Sequence, residues 1–261
     1  MKKTRIVFFD IDHTIYDPYK KIIPASTIEA IKKLKARNDT YVAIATGRAF
    51  YMCDILEPIK KYIDIYITIN GQIIIKDLKV IKDFPLEEKT VNDIKRVFDE
   101  ALLSYGYIGK DEQAINKMTD YARCMFNKAS MPLPKEDPNF NDHHAVYQMW
   151  AFAKDEMLDQ LKGKLKAYQV VPWLSDGFDI VHTDKSKWDG IQVVLETFDI
   201  KKENVVCFGD GDNDLQMLKY LPNSYAMGNA KPHIKAVANY STEAFDEHGI
   251  YNALKAMKWI D

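Results

Sequence analysis

The sequence predicts an α/β protein: a parallel sheet flanked by helices, interrupted by an inserted α+β unit. Three observations predict it. Short apolar runs rich in β-branched and aromatic residues recur along the chain, amphipathic patterns separate them, and the middle of the chain changes character. Runs of the first kind suit strands buried on both faces, and their alternation with helical patterns argues for βαβ units.

The runs are Ile6–Phe9, Tyr41–Ala45, Ile63–Ile69 and Val205–Phe208. Between the first two, Ser26 opens a capping box with Glu29 three residues on, and Ile28, Ile31 and Leu34 lie on one face. Before the last run, Ile191, Val194, Leu195 and Phe198 recur at helical spacing. The middle reads as a helix bearing Val91, Ile94, Phe98, Ala101, Leu102 and Tyr105, a stretch with Pro132, Pro134 and Pro138, the alternating segment AVYQMWAFA, and a helix with Leu158, Leu161 and Leu165. The expected division is therefore 1–82 and 183–261 as one discontinuous core, with 83–182 inserted. The hinges fall near Lys82–Pro85 and Val181–Ser186.

Composition narrows the function. The 36 basic and 38 acidic side chains leave a formal net charge of −2, so no global field draws the chain toward nucleic acid or an anionic membrane. The initial apolar run stops at Asp10, too short for a signal peptide, and no 18-residue apolar stretch occurs. Cys53, Cys124 and Cys207 are odd in number and widely spaced, which fits reduced thiols acting as small core hydrophobes. A soluble cytoplasmic protein is expected, with no nucleic-acid or membrane partner and no obligate protein partner.

Each run ends in a polar cluster: Asp10 with Asp12, Thr46 with Gly47, Asn70 with Gly71, and the segment Gly209 to Asp214. Ligands of open α/β sheets bind outside the carboxyl ends of the strands, so these clusters predict one shared site. Asp10 and Asp12, two apart on an extended chain, would project to the same side and repel unless a cation lies between them. Asp210, Asp212 and Asp214 repeat the problem. A calcium loop is excluded, because Leu215 stands where its glycine is required and Leu221 where its glutamate is. Oxygen ligands from two strands favour Mg²⁺ over zinc. Lys187 opens a helix, where a cation opposes the dipole, and that placement suits an anion nearby.

In order along the chain, FFDIDHTIYD, AIATGR, Lys187 within KSKWDGI, and FGDGDND resemble the motifs of the haloacid dehalogenase superfamily of phosphohydrolases. The resemblance extends through ITING, YAMGNAKPHIKAVANYST and DEHGI, and the insert between the second and third motifs is similar to the Cof-type branch. It implies a Rossmann-like parallel-sheet core with an α+β cap over the site. It further implies a Mg²⁺-dependent phosphatase of small phosphomonoesters, with sugar phosphates the expected substrates. Asp10 would be the nucleophile forming an aspartyl-phosphate, and Asp12 the general acid and then base. Mg²⁺ would be held by Asp10, the Asp12 carbonyl and Asp210, with Asp214 orienting metal waters or Lys187. Thr46, Lys187, Asn213 and the Ile11 and Gly47 amides would hold the phosphate oxygens. In the cap, Arg123, His143, His144, Trp150, Trp173 and Asp176 are the offered contacts to the leaving group.

One residue departs from the family pattern. His13 replaces the usual glycine, which matters if the position requires a positive φ. A phosphosugar mutase is the nearest rival function. A non-turnover phosphoacceptor is disfavoured by Asp12 and the large insert, and a metabolite-binding protein by two carboxylates beside a bound phosphate.

Overall fold

The computed structural model describes residues 4–128, 131–166, 168–174, 176–182 and 185–261. The chain forms two compact units, Met1–Asp83 with Lys185–Asp261, and Phe84–Asp184. Its first stretch runs β1 (Arg5–Phe9), α1 (Ala25–Ala36), β2 (Thr40–Ala45), β3 (Ile65–Thr68), β4 (Ile73–Lys76) and β5 (Lys79–Asp83). The second unit follows as α2 (Glu88–Glu100), β6 (Ser104–Ile108), β7 (Gln113–Ile115), α3 (Asp120–Lys128), β8 (Lys135–Glu136), β9 (Gln148–Phe152), α4 (Asp155–Lys164), β10 (Tyr168–Leu174) and β11 (Gly177–His182). The chain returns as α5 (Lys187–Phe198), β12 (Val205–Gly209), α6 (Leu215–Tyr220), β13 (Asn223–Ala226), α7 (Pro232–Lys235), β14 (Tyr240–Ser241) and α8 (Gly249–Ala256).

The first unit is an eight-stranded sheet in the order β14-β13-β12-β1-β2-β3-β4-β5. Every pairing from β14 to β3 is parallel, and β4 and β5 add an antiparallel edge. Ile6 to Phe9 and all of β12 are buried, as strands covered on both faces must be. Helices supply the cover in packed pairs, α1 with α8 and α5 with α6. Register also lines up an aromatic ladder across four strands: Phe9, Phe208, Tyr225 and Tyr240 stack at ring-centroid spacings of 5.5, 5.2 and 5.1 Å. These distances are those of neighbouring strands and favourable ring pairs, so the ladder reinforces the register immediately before Asp10 and Gly209.

The helix α5 reaches this sheet through two glycines. A Cβ on Gly190 would lie 2.5 Å from Ile67 Cγ2, and one on Gly71, at φ +98°, would lie 2.1 Å from the Ser186 carbonyl oxygen. Side chains at either point would push the first turn of α5 off the end of β3.

The second unit builds its own six-stranded sheet, β10-β11-β9-β6-β7-β8, antiparallel except for the β7–β8 pair. Its core gathers Val91, Ile94, Phe98, Tyr105, Tyr107, Phe140 and Phe178.

Local details differ from the sequence reading. The capping box at Ser26 does not form: α1 begins at Ala25 with Pro24 at its N-cap, so Ser26 sits inside the helix. Proline fixes φ for entry into the helix, and that outweighs the serine signal. The α2 helix stops at Glu100. Leu102 adopts φ 54° and is 91 % exposed, and Tyr105 belongs to β6. Cys53 and Cys207 are buried as expected, but Cys124 is exposed, because α3 buries Ala122, Met125 and Phe126 instead. Among the described residues no helix is long and apolar enough to cross a membrane.

The Gly190 contact gives a direct test. Gly190→Val should destabilise the protein by about 1–3 kcal/mol through overpacking against Ile67, measured by chemical denaturation. An unchanged midpoint would mean that α5 is free to retreat from the sheet.

Candidate active site

The order β12-β1-β2-β3 places four parallel carboxyl ends side by side, and the polar clusters meet there. Asp10 follows β1 directly. Its N–H donates to the Phe208 carbonyl at 3.0 Å, so its backbone still belongs to the sheet. Lys187, the first residue of α5, is fully buried, and its Nζ donates to Asp10 Oδ1 at 2.6 Å and to Asp214 Oδ1 at 2.7 Å. The helix start that carries Lys187 is pinned by Ser186, whose N–H and hydroxyl both donate to Asp189 Oδ2, at 2.8 and 2.6 Å.

Asp214 organises the loop after β12. Its Oδ2 accepts the N–H groups of Asp210 and Gly211 at 2.9 and 3.0 Å, leaving Oδ1 for Lys187. Gly209 makes room for it, since a Cβ there would lie 2.5 Å from Asp214 Cγ. Asp210 is held from the other side by the Thr14 hydroxyl at 3.2 Å and the Asn229 amide at 3.3 Å.

On the β2 and β3 side, Thr46 is buried, its N–H donates to the Ile67 carbonyl at 2.9 Å, and its carbonyl accepts from the Asn70 N–H at 3.0 Å. Asn213 donates to Asn70 Oδ1 at 3.1 Å, joining the two halves of the first unit. Gly47 lies against this pair: a Cβ would stand 3.2 Å from Asn70 Oδ1 and 3.5 Å from Asn213 Nδ2. The turn itself is strained, with Ile69 at φ 51° and Asn70 at φ 53°. Asparagine tolerates that region, whereas a β-branched residue there is a true outlier of the kind found at functional sites.

The two aspartates of the first cluster are held by different cations. Beyond Asp12 the chain turns back, because the Ile11 carbonyl collects the N–H groups of Thr14, Ile15 and Tyr16 at 3.2, 3.0 and 2.9 Å. Asp12 is met by Arg48, whose Nε donates to Oδ2 at 2.8 Å and whose Nη2 donates to Oδ1 at 2.7 Å. In the sequence Arg48 is marked only as the last residue of AIATGR, which carries no role for it, and Asn229 lies within YAMGNAKPHIKAVANYST without a spacing signal of its own. His13 does require the left-handed conformation, at φ 58°. Its N–H donates to the Tyr16 carbonyl, its carbonyl accepts from Asn229, and its ring lies against Tyr19 and Phe245 at centroid distances of 5.5 and 6.0 Å.

In the second unit Arg123, His143 and His144 are exposed, Asp176 is half-buried, and His144 stacks on Phe140 at 4.4 Å. Trp150 is a core residue packed edge-on to Phe126 and over Gly106. The Trp173 side chain lies outside the described residues.

Electrostatics follow from crowding three carboxylates around one ammonium. Burial raises the Asp10 pKa well above the usual carboxylate range; Lys187 opposes this, and Asp214, Asp210 and Asp12 reinforce it. Burial, then the neighbouring Asp214, pushes Asp210 up to about 7. Burial alone would lower the pKa of Lys187, but Asp10 and Asp214 outweigh it and hold the ammonium charged. Carboxylate oxygens of Asp10, Asp210 and Asp214 lie within 4.8 Å of one another. An oxygen-only donor set with net negative charge fits a hard divalent cation such as Mg²⁺. Asp214, with both oxygens already engaged, is arranged to orient Lys187 and the Asp210 backbone.

The chain is similar over nearly its whole length to known proteins. Residues 7–254 match the family model of the haloacid dehalogenase-like hydrolases. A relative from Bacillus subtilis (strain 168), named as the candidate phosphatase YkrA, is 32 % identical over 258 residues, covering 97 % of this chain and 98 % of its own. A crystal structure of a hypothetical protein from Geobacillus kaustophilus HTA426 superposes with a TM-score of 0.90 at 30 % identity, covering 98 % of this chain and 99 % of that one. The sugar phosphatase BT4131, of subclass IIB of the same superfamily, does so with a TM-score of 0.87 at 28 % identity, covering 98 % and 100 %.

The raised Asp210 pKa sets the sign of a pH effect. Without divalent cations the folded state keeps a proton on Asp210 between about pH 4 and 7 that the unfolded chain releases, so this group's contribution to stability falls as pH rises through that window and then levels. Asp210→Asn should therefore gain stability relative to the parent from about pH 4 to 7. Denaturation curves at several pH values check this, and a pH-independent difference would reject it.

Proposed function

This chain belongs to the haloacid dehalogenase-like hydrolases, and we propose that it hydrolyses small phosphomonoesters, sugar phosphates foremost, through an aspartyl-phosphate on Asp10 with Mg²⁺ as cofactor. It is an enzyme, a phosphatase of that family. The observation that carries the finer reading is the buried Asp10 carboxylate, held at 2.6 Å by the Lys187 ammonium beside Asp210 and Asp214. The sugar-phosphate assignment draws on the full-length likeness to BT4131.

In this reading an Asp10 oxygen attacks phosphorus while the bond to the leaving oxygen breaks, and Asp12 supplies the proton that the departing alkoxide requires. Water then attacks phosphorus, Asp12 takes a proton from it, and the bond to Asp10 breaks to return the carboxylate and release phosphate. Lys187 neutralises charge at the attacked group, while Thr46, the Ile11 and Gly47 amides and Asn213 hold the phosphoryl oxygens. Bound Mg²⁺, on Asp10, the Asp12 carbonyl and Asp210, would supply a second positive charge against those oxygens. Burial of Asp10 serves this chemistry, because fixed donors act more strongly on developing charge where water is excluded. The substrate is a small phosphorylated metabolite, and the unbridged Cys53, Cys124 and Cys207 support a cytoplasmic setting.

Phosphate release from a panel of phosphorylated sugars, nucleotides and cofactors, with and without Mg²⁺, tests the reading. Metal-dependent release with the highest kcat/KM for sugars is expected. Absence of release together with a phosphodonor labelling Asp10 would transfer the assignment to a mutase or phosphoacceptor. Asp10→Asn should abolish turnover while retaining the fold, and appreciable residual activity would reject the nucleophile. Asp12→Asn should lose far more activity on poor leaving groups than on good ones; an equal loss on both would reject the acid role.

A further inference from the structure

Arg48 takes no part in the chemistry described above, yet it is bound through two hydrogen bonds to a group that does. Its guanidinium grips both oxygens of Asp12, at 2.7 and 2.8 Å, in the fork geometry that fixes a carboxylate's plane as well as its position. The arginine is itself fixed at its backbone: its N–H donates to the Thr46 hydroxyl at 3.1 Å and its carbonyl accepts from the Ile69 N–H at 3.0 Å. Asp12 stands on the loop after β1, so the fork ties that loop to the ends of β2 and β3. Both side chains are about one-third exposed, at 31 % and 37 %, so water reaches the pair.

A carboxylate whose two oxygens each accept one hydrogen bond from the fork still has lone pairs left over to accept a proton from water. Resting on the proposed aspartyl-phosphate reading, we propose that Arg48 is the positioning residue for Asp12 in the second half-reaction. The fork holds the anion aligned while a water proton passes to it, the water oxygen bonds to phosphorus, and the electron pair of the breaking bond returns to Asp10. Arg48 transfers no proton and forms no bond. In the first half-reaction the same fork gives no help, since Asp12 must then carry a proton.

An aryl phosphate separates the two halves, because a good leaving group departs without needing an acid. In Arg48→Ala, kcat should fall by about 10-fold or more, less than the roughly 100-fold or greater contribution of the positioned base itself. The phenol should appear as a burst, intact-protein mass should show phosphoenzyme accumulating, and kcat/KM should change little because it reports the first half. Arg48→Lys, which keeps the charge but loses the fork, should recover only part of kcat, and it carries the test if the alanine variant fails to fold. A raised KM with unchanged kcat, in either variant, would make Arg48 a substrate contact and overturn the proposal. Equal losses in kcat and kcat/KM without phosphoenzyme would overturn it as well. Failure of the parent enzyme to release phosphate or form phosphoenzyme would instead remove the reading beneath it, a result distinct from normal turnover in parent and variants alike.

Discussion

The contact between the Lys187 ammonium and the carboxylates of Asp10 and Asp214 is the constraint on which the rest of the first unit depends. An isolated ammonium without solvent exposure is prohibitively costly, and two carboxylates at 2.6 and 2.7 Å make it tenable. The three residues come from the start of a helix, the end of one strand and the loop after another. Displacing Lys187 would leave two buried carboxylates facing each other without a counter-charge. With Asp210 alongside, the centre carries more negative charge than Lys187 balances, which is the electrostatic condition for taking up a hard cation.

Much of the surrounding structure delivers that contact. Gly71 and Gly190 let α5 approach β3 closely enough for its first residue to reach Asp10, and Ser186 with Asp189 closes the helix start. Part of the backbone strain lies at the same place. His13, Ile69 and Asn70 all lie at positive φ beside the strand ends, and each is held by hydrogen bonds to neighbouring loops. The aromatic ladder from Phe9 to Tyr240 ties β1, the strand that leads to His13, to β12, β13 and β14.

The second unit spends its aromatic residues differently. Phe98, Tyr105, Tyr107, Phe140 and Phe178 form its core, and Trp150 packs over Gly106. Aromatic content there reflects the needs of a sheet carried by three helices. An aromatic residue in that stretch of sequence is therefore weak evidence of a ligand contact.

What could be read from the sequence alone was what depends on local pattern. Apolar runs marked β1, β2, β3 and β12, because strands buried on both faces must be continuously apolar, and helical spacing marked α1 and α5. The polar residues ending each strand marked the site, since a parallel sheet exposes its functional groups at its carboxyl ends. Helix boundaries were less legible where backbone geometry overrode composition, at Pro24 and at the left-handed Leu102. Only the tertiary structure decided which acid faces which base. Spacing in the chain groups Asp10 with Asp12 but says nothing of their partners, and the fold gives Asp10 to Lys187 and Asp12 to Arg48. The physical reason is that ion pairs across 177 or 36 residues depend on strand order and loop direction, which no local pattern encodes.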